Sequence, residues 1–184
     1  AATTTNIGVN NGGDIAFWTG AGATTRAAIA GPLHGGITLA GPTGWRGLAT
    51  SGHGGRSLSP GIADSVTVLA NCAATADVAA TLIAGAVDCP DMSGIARRPA
   101  CEIDPDSDLG NRPVTIAVPP LEPARIENAL AAGHDLATQM MRSGTIAGAV
   151  LELQGEIAVT GLDEPAALLR TGQSFAYISR HGDD

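Results

Sequence analysis

The sequence contains no lysine: all ten of its basic residues are arginine. That excludes Schiff-base and lysine-nucleophile chemistry and leaves any bound anion to arginine, backbone N–H groups or a metal. Aromatic residues are nearly as scarce, 3% of the chain against 44% apolar overall. The core has to be assembled from Ala, Val, Leu and Ile, which lets its elements approach closely. An excess of positive charge is missing as well. The formal net charge is −8 and the closest arginine pair, Arg97–Arg98, is isolated. Polyanion binding needs a basic patch, so nucleic acid is not expected as a partner. No apolar run is long either. The longest uncharged one, 78–87, falls far short of the roughly 20 residues a membrane span requires, and residues 1–5 have neither the basic nor the apolar region of a leader. Cysteine is limited to Cys72, Cys89 and Cys101. An odd number without a close pair argues against a disulfide framework and for free thiols in a reducing cytoplasm.

What is present suits one domain over residues 1–184, a length that supports a real core. Apolar runs at 6–10 and 15–18 flank Asn11-Gly12-Gly13-Asp14, a strong turn signal. Short strands are expected at 37–40 and 48–50, a buried β-branched strand at 65–69 and another strand at 114–118. Residues 149–153 and 157–160 form a hairpin about Gln154-Gly155-Glu156. The Ala-rich stretch 71–87 predicts a buried helix. The clearest helix is 122–142, with Glu122 in its first turn and Arg142 in its last. Residues 88–111 read as a long ordered loop. Strands grouped in hairpins, with helices that do not alternate with them, give an α+β fold of antiparallel sheets packed against helices.

Four constellations carry potential chemistry. The Asn11-Gly12-Gly13-Asp14 corner lets backbone approach a ligand while Asp14 takes a hydroxyl or base edge; the same residues also make an ordinary turn. The stretch Thr50-Ser51-Gly52-His53-Gly54-Gly55-Arg56-Ser57 combines three glycines with hydroxyls, an imidazole and a guanidinium, donors suited to an anion. It lacks P-loop spacing and reads equally as a surface loop. Asp77 and Thr81, four residues apart, share one face of the 71–87 helix. A carboxylate plus a hydroxyl suits Mg²⁺, although a solvated Asp beside a Thr bonded within its own helix is the plainer reading. The run Asp104-Pro105-Asp106-Ser107-Asp108-Leu109-Gly110 opens like a calcium loop, but its twelfth position is Thr115 where a bidentate Glu is required, which leaves an acidic turn. Ser51, Ser57 and Ser59 surround His53, and a serine–histidine hydrolytic site is a further candidate.

Three of these segments, in this order, resemble the ApbE superfamily of flavin transferases: Val9-Asn10-Asn11-Gly12-Gly13-Asp14-Ile15, Ala49-Thr50-Ser51-Gly52 and Ala76-Asp77-Val78-Ala79-Ala80-Thr81. The resemblance covers most of residues 6–160. It is closest to a branch without the His-x-x-Asp-Pro-x-Thr-Gly segment, since the interval here holds His53-Gly54-Gly55-Arg56-Ser57-Leu58-Ser59-Pro60-Gly61 instead. The resemblance implies an ApbE-like fold of which this chain is the C-terminal two thirds. It implies Mg²⁺ on Asp77 and Thr81, and FAD or a related phosphate ligand on Asn11, Gly12, Gly13, Asp14, Thr50, Ser51 and Arg56.

The expectation is therefore a cytoplasmic, oligomeric enzyme handling a flavin nucleotide or related ligand with a divalent metal. The first alternative is an amide or ester hydrolase using Ser51 or Ser57 with His53; the second is a non-catalytic binding or assembly subunit. Since the resemblance places further residues upstream, a second polypeptide is expected against residues 1–20 and the 72–87 helix.

Overall fold

The protein is described here by a computed structural model covering residues 6–28, 36–55, 57–162 and 166–169. The chain begins with a hairpin, β1 (Asn6–Asn11) and β2 (Asp14–Thr19), whose register pairs Asn11 with Asp14 and Ile7 with Trp18. Gly12 and Gly13 both take positive φ, 70° and 135°, where a side chain would be strained. Asn10 Oδ1 accepts a hydrogen bond from the Gly13 amide at 3.0 Å and closes the turn. Two further short strands, β3 (Thr24–Ala28) and β4 (Gly36–Ala40), precede β5 (Gly47–Ser51) and the wholly buried β6 (Ser65–Ala70). Then come α1 (Ala73–Ala86), the pair β7 (Ala96–Pro99) and β8 (Pro113–Ala117) around the four-residue helix α2 (Ala100–Ile103), α3 (Pro123–Arg142), β9 (Ile146–Leu153), β10 (Glu156–Thr160) and β11 (Ala166–Leu169).

The main sheet has six strands in the order β1-β2-β5-β6-β9-β10, and every neighbouring pair in it is antiparallel. The fold is α+β, as the hairpin pattern predicts. Side chains alternate across the sheet and divide the core in two. One face carries Ala49, Val66, Val68, Ala149 and Leu151 against α1 and α3. The other carries Phe17, Leu48, Leu69 and Val150 against Ile37 and Leu39 of β4, which belongs to a three-stranded sheet in the order β11-β4-β3. The central strand β6 is thus covered on both faces, which explains its unbroken Val- and Leu-rich composition.

The scarcity of large side chains has a direct consequence for α1. Its buried residues are Ala76, Ala79, Ala80, Ile83 and Ala84, so the helix lies low on the sheet. Glycines in its neighbours make the approach possible. A Cβ on Gly47 would lie 2.0 Å from the carbonyl carbon of Cys72, and one on Gly61 would lie 2.0 Å from the Ala84 carbonyl oxygen. On α3, a Cβ at Gly133 would meet the Val87 side chain at 2.4 Å. At the far end of α1 the Ile62 amide donates to the Val87 carbonyl at 2.8 Å.

Residues 88–111, expected as loop, contain β7 and α2. Arg97 pairs with Asp88, and the Thr115 amide of β8 donates to the Ser59 carbonyl at 2.8 Å. A charged and Pro-rich stretch becomes regular structure because long-range partners satisfy it, which local patterning does not report. Asp104 caps its own turn, accepting from the Asp106 amide at 3.1 Å, as an acidic turn should. Cys72, Cys89 and Cys101 are free thiols. Among the described residues, no helix is long and apolar enough to cross a membrane.

Because the Gly61 contact is with backbone, relief requires α1 or the 60–64 loop to move. Gly61→Ala is expected to destabilise the protein by about 2 kcal/mol, the range of an overpacked core. Gly8→Ala, with nothing within 4 Å, is expected to stay within about 0.5 kcal/mol. Urea unfolding of both variants checks this; equal midpoints would show that the helix is not held at close range.

Candidate functional site

The register of the sheet decides which candidate residues can meet. Ile15 pairs with Leu48 and Ala16 with Gly47. Leu48 and Phe17 belong to the core on the side away from the helices, so alternation turns Asp14, Ala16 and Trp18 to the α1 side. Asn11, directly across from Asp14, takes the same side. On β5, Ala49 packs under α1, and Ser51, two residues on, faces the same way and is buried. Asp77 and Thr81 lie on the exposed face of α1, one turn apart.

Burial pushes the Asp14 carboxyl above its ordinary value, and the negative charge of Asp77 pushes it further. Neither acid is in an ion pair among the described residues. A helix residue and a hairpin residue thus bring like charges into one region, and among the described residues neither is ion-paired. Like charges at close range are unfavourable unless a counter-ion or solvent screens them. Asn11, across from Asp14 on the hairpin, and Thr81, one turn from Asp77 on α1, are both exposed.

Thr50 lies elsewhere. Its Oγ1 is 2.8 Å from Thr67 Oγ1 of β6, on the face away from α1. Gly12 and Gly13 form the turn beside Asp14. Arg56 lies outside the described residues, and nothing is said of its position.

His53 belongs to a different environment. Its Nε2 is 3.2 Å from Asp64 Oδ1, and Asp64 Oδ2 accepts from the Gln154 amide at 2.5 Å. The backbone supports this pair: His53 N donates to the Ala63 carbonyl at 2.9 Å and Gly54 N to the Asp64 carbonyl at 3.2 Å. Gly52 has φ 137° and comes so near the Asp64 carbonyl that a Cβ would lie at 2.7 Å. Among the described residues, no serine hydrogen-bonds His53. Ser51 is buried on the α1 side of β5, and Ser57 is exposed.

Sequence reasoning missed Asp64, Gln154 and Glu152. The signal for Glu152 was available, because it is the one charge in the apolar stretch of β9. Asp64 gave no such signal: it reads as a polar residue ending a loop.

Among the described residues, no set of three or more His, Cys, Asp and Glu side chains is placed to hold a metal ion. Two carboxylates with a hydroxyl and an amide still suit Mg²⁺, which commonly takes one or two carboxylates and keeps several waters.

The bacterial family described as AbpE bacteria matches residues 1–159, and the chain belongs to that family. A UPF0280 protein of Methanothermobacter thermautotrophicus (strain Delta H) is 43% identical over 91 residues, 45% of this chain and 34% of the relative. The match thus spans about a third of that relative's length. Neither finding points to the ApbE superfamily of flavin transferases, so the resemblance drawn from three short motifs does not stand. The physical reason lies in their composition. Asn-Gly-Gly-Asp closes a hairpin here, Thr-Ser-Gly ends a strand, and the Ala-rich segment is a tightly packed helix. Each is a common local solution, and three together do not identify a superfamily.

If Asp77 is a cause of the Asp14 shift, Asp77→Asn removes it while burial remains. The Asp14 carboxyl is then expected to titrate lower, moving toward its ordinary 3.8 without reaching it. NMR titration of the Asp14 Cγ resonance measures this. An unchanged midpoint would show that the two carboxyls do not interact.

Proposed function

We propose that the corner formed by Asn11, Asp14, Asp77 and Thr81 binds a phosphate-bearing small molecule together with a divalent cation. The observation that supports this is the approach of Asp14 and Asp77, two carboxylates from separate elements with no protein cation between them among the described residues. The cation, when bound, would neutralise both acids and polarise a phosphate oxygen. The chain's own residues position the ligand. Asp14 and Asp77 hold negative charge at a fixed corner, Thr81 and Asn11 offer a hydroxyl and an amide, and the glycines of the turn leave room for close backbone approach.

The apolar surroundings fit an organic ligand. Trp18, Ile7 and Val9 of the hairpin are exposed at 41%, 55% and 63%, and alternation puts them on the same side of the sheet as α1. Val78 and Leu82 of α1 are exposed beside the two acids. An aromatic ring system carried by the phosphate, as in a flavin nucleotide, would find contact there.

Hydrolysis of an amide or ester is the second reading. Asp64 orients His53, the relation a catalytic base requires. The described residues place no serine on the imidazole, so the acidic corner is the better-supported site.

Mg²⁺ or Mn²⁺ is expected to raise the melting temperature with saturation, since binding to the native state stabilises by mass action. FAD is expected to add to the shift only when the cation is present. Asp14→Asn and Asp77→Asn should each abolish the cation effect. A melting temperature indifferent to both ligands, or variants that respond as the wild type does, would refute the reading.

A further inference from the structure

Glu152 stands apart from every other acid in the described structure. It sits on β9, directly across from Ser65 of β6 and Ile157 of β10, and is only 2% exposed. Ser65 Oγ donates to its Oε2 at 3.1 Å, while Oε1 is buried without a hydrogen-bond partner. A carboxylate needs several donors to replace the water it loses, and one hydroxyl is not enough. Burial accordingly pushes the Glu152 carboxyl above its ordinary value. The Ser65 hydrogen bond offsets part of this, and the charge of Asp64 adds to it.

Asp64, next to Ser65 in the chain, is in the opposite condition. Both of its oxygens are engaged, one with His53 Nε2 and the other with the Gln154 amide. Its own amide donates to the Glu152 carbonyl at 2.9 Å, and its carbonyl accepts from Gly54. Asp64 is therefore what fastens the 52–64 loop, with His53 on it, to the ends of β6 and β9. Of the charged and titratable groups around Glu152, Asp64 lies just before β6 and its charge acts on Glu152, while His53 is bonded to Asp64. The cross-strand residue on β10 is Ile157. Among the described residues, no cation reaches the Glu152 carboxyl.

We propose that Glu152 and Asp64 form a proton-operated latch on the 52–64 loop: protonated Glu152 leaves ionised Asp64 free to hold His53 and Gln154, and loss of that proton releases the loop. The proton leaves to solvent, and the two carboxylates then repel across a poorly solvated gap. The direction follows from linkage. An acid whose folded value is raised binds its proton more tightly in the native state, so its contribution is intact at low pH and is lost as pH rises through the raised value.

Three measurements on the intact chain test this. The stability difference between wild type and Glu152→Gln is expected to change as pH rises above the ordinary Glu value of 4.5, because the wild type loses stability there and the variant does not. Amide exchange at His53 and Gly54, corrected for the intrinsic rate, should speed up about tenfold per pH unit within that window in the wild type, the slope of a single linked proton. It should stay flat in Glu152→Gln. Should that variant fail to fold, the Cδ resonance of Glu152 in the wild type decides the matter. Titration above the ordinary value, in step with exchange at His53 and Gly54, supports the latch. Titration at the ordinary value, or exchange at the loop indifferent to it, overturns it. So does a Glu152→Gln protein whose stability keeps the wild-type pH dependence.

Discussion

The close seat of α1 on the main sheet is the constraint on which the rest of the structure depends. A helix normally rides 8–10 Å above its neighbour, at a height set by the side chains between them. Here the side chains between are mostly alanine, and Gly47 and Gly61 leave no Cβ where the backbone of the helix and its flanking residues passes. The shortage of aromatics in the composition finds its structural expression in this interface. Small residues bury less apolar area apiece, so the helix gains by contact density what it forgoes in volume. Gly133 continues the arrangement on α3, where Val87 and Leu151 occupy the space of a missing side chain.

The low seat of α1 has a consequence at its exposed face. Asp77 is carried close enough to the β1–β2 turn to raise the Asp14 carboxyl. A bulkier interface would lift α1 and separate the two charges. The acidic corner thus follows from packing beneath it: the glycines and alanines that bring helix to sheet also bring carboxylate to carboxylate. The core interface beneath the corner, with Ile83 and Ala84 fully buried, holds the helix in place against that repulsion.

Much of this was legible in the sequence, for reasons that can be named. The hairpin at Asn11–Asp14, the buried β6, the helices near 73–86 and 123–142 and the turn at Gln154-Gly155 each carry a local signal, whether glycine pairs, β-branched runs or amphipathic spacing. The antiparallel class followed from hairpin spacing alone. What escaped depends on partners distant in the chain. The strands β3 and β11 are short and lean on β4, and β7 takes its order from Asp88 and β8. Motif likeness proved the weaker guide: segments that looked diagnostic of a superfamily turned out to be ordinary turns and helix packing. At the site, spacing on α1 correctly put Asp77 and Thr81 on one face. Strand parity turns Thr50 away from them, toward Thr67, and that parity is invisible until the register is known.

The surroundings of β5 show how the same fold treats negative charge in two ways. β5 pairs with the strand that carries Asp14, and Asp14, half-buried, and Asp77, exposed, are left where solvent or a ligand can answer them. Past its end, Asp64 is answered from within by an imidazole and a backbone amide, and Glu152 is answered only in part. The difference lies in cover. Around the first pair of acids the hairpin leaves Ile7, Val9 and Trp18 exposed. The second is closed by the 52–64 loop itself, which folds back through Gly52 and Gly54 onto the Asp64 carbonyl. A closed site with an incompletely bonded acid stores a penalty that appears when the acid ionises, because desolvation penalises only the charged form. The open site stores little, since water screens it.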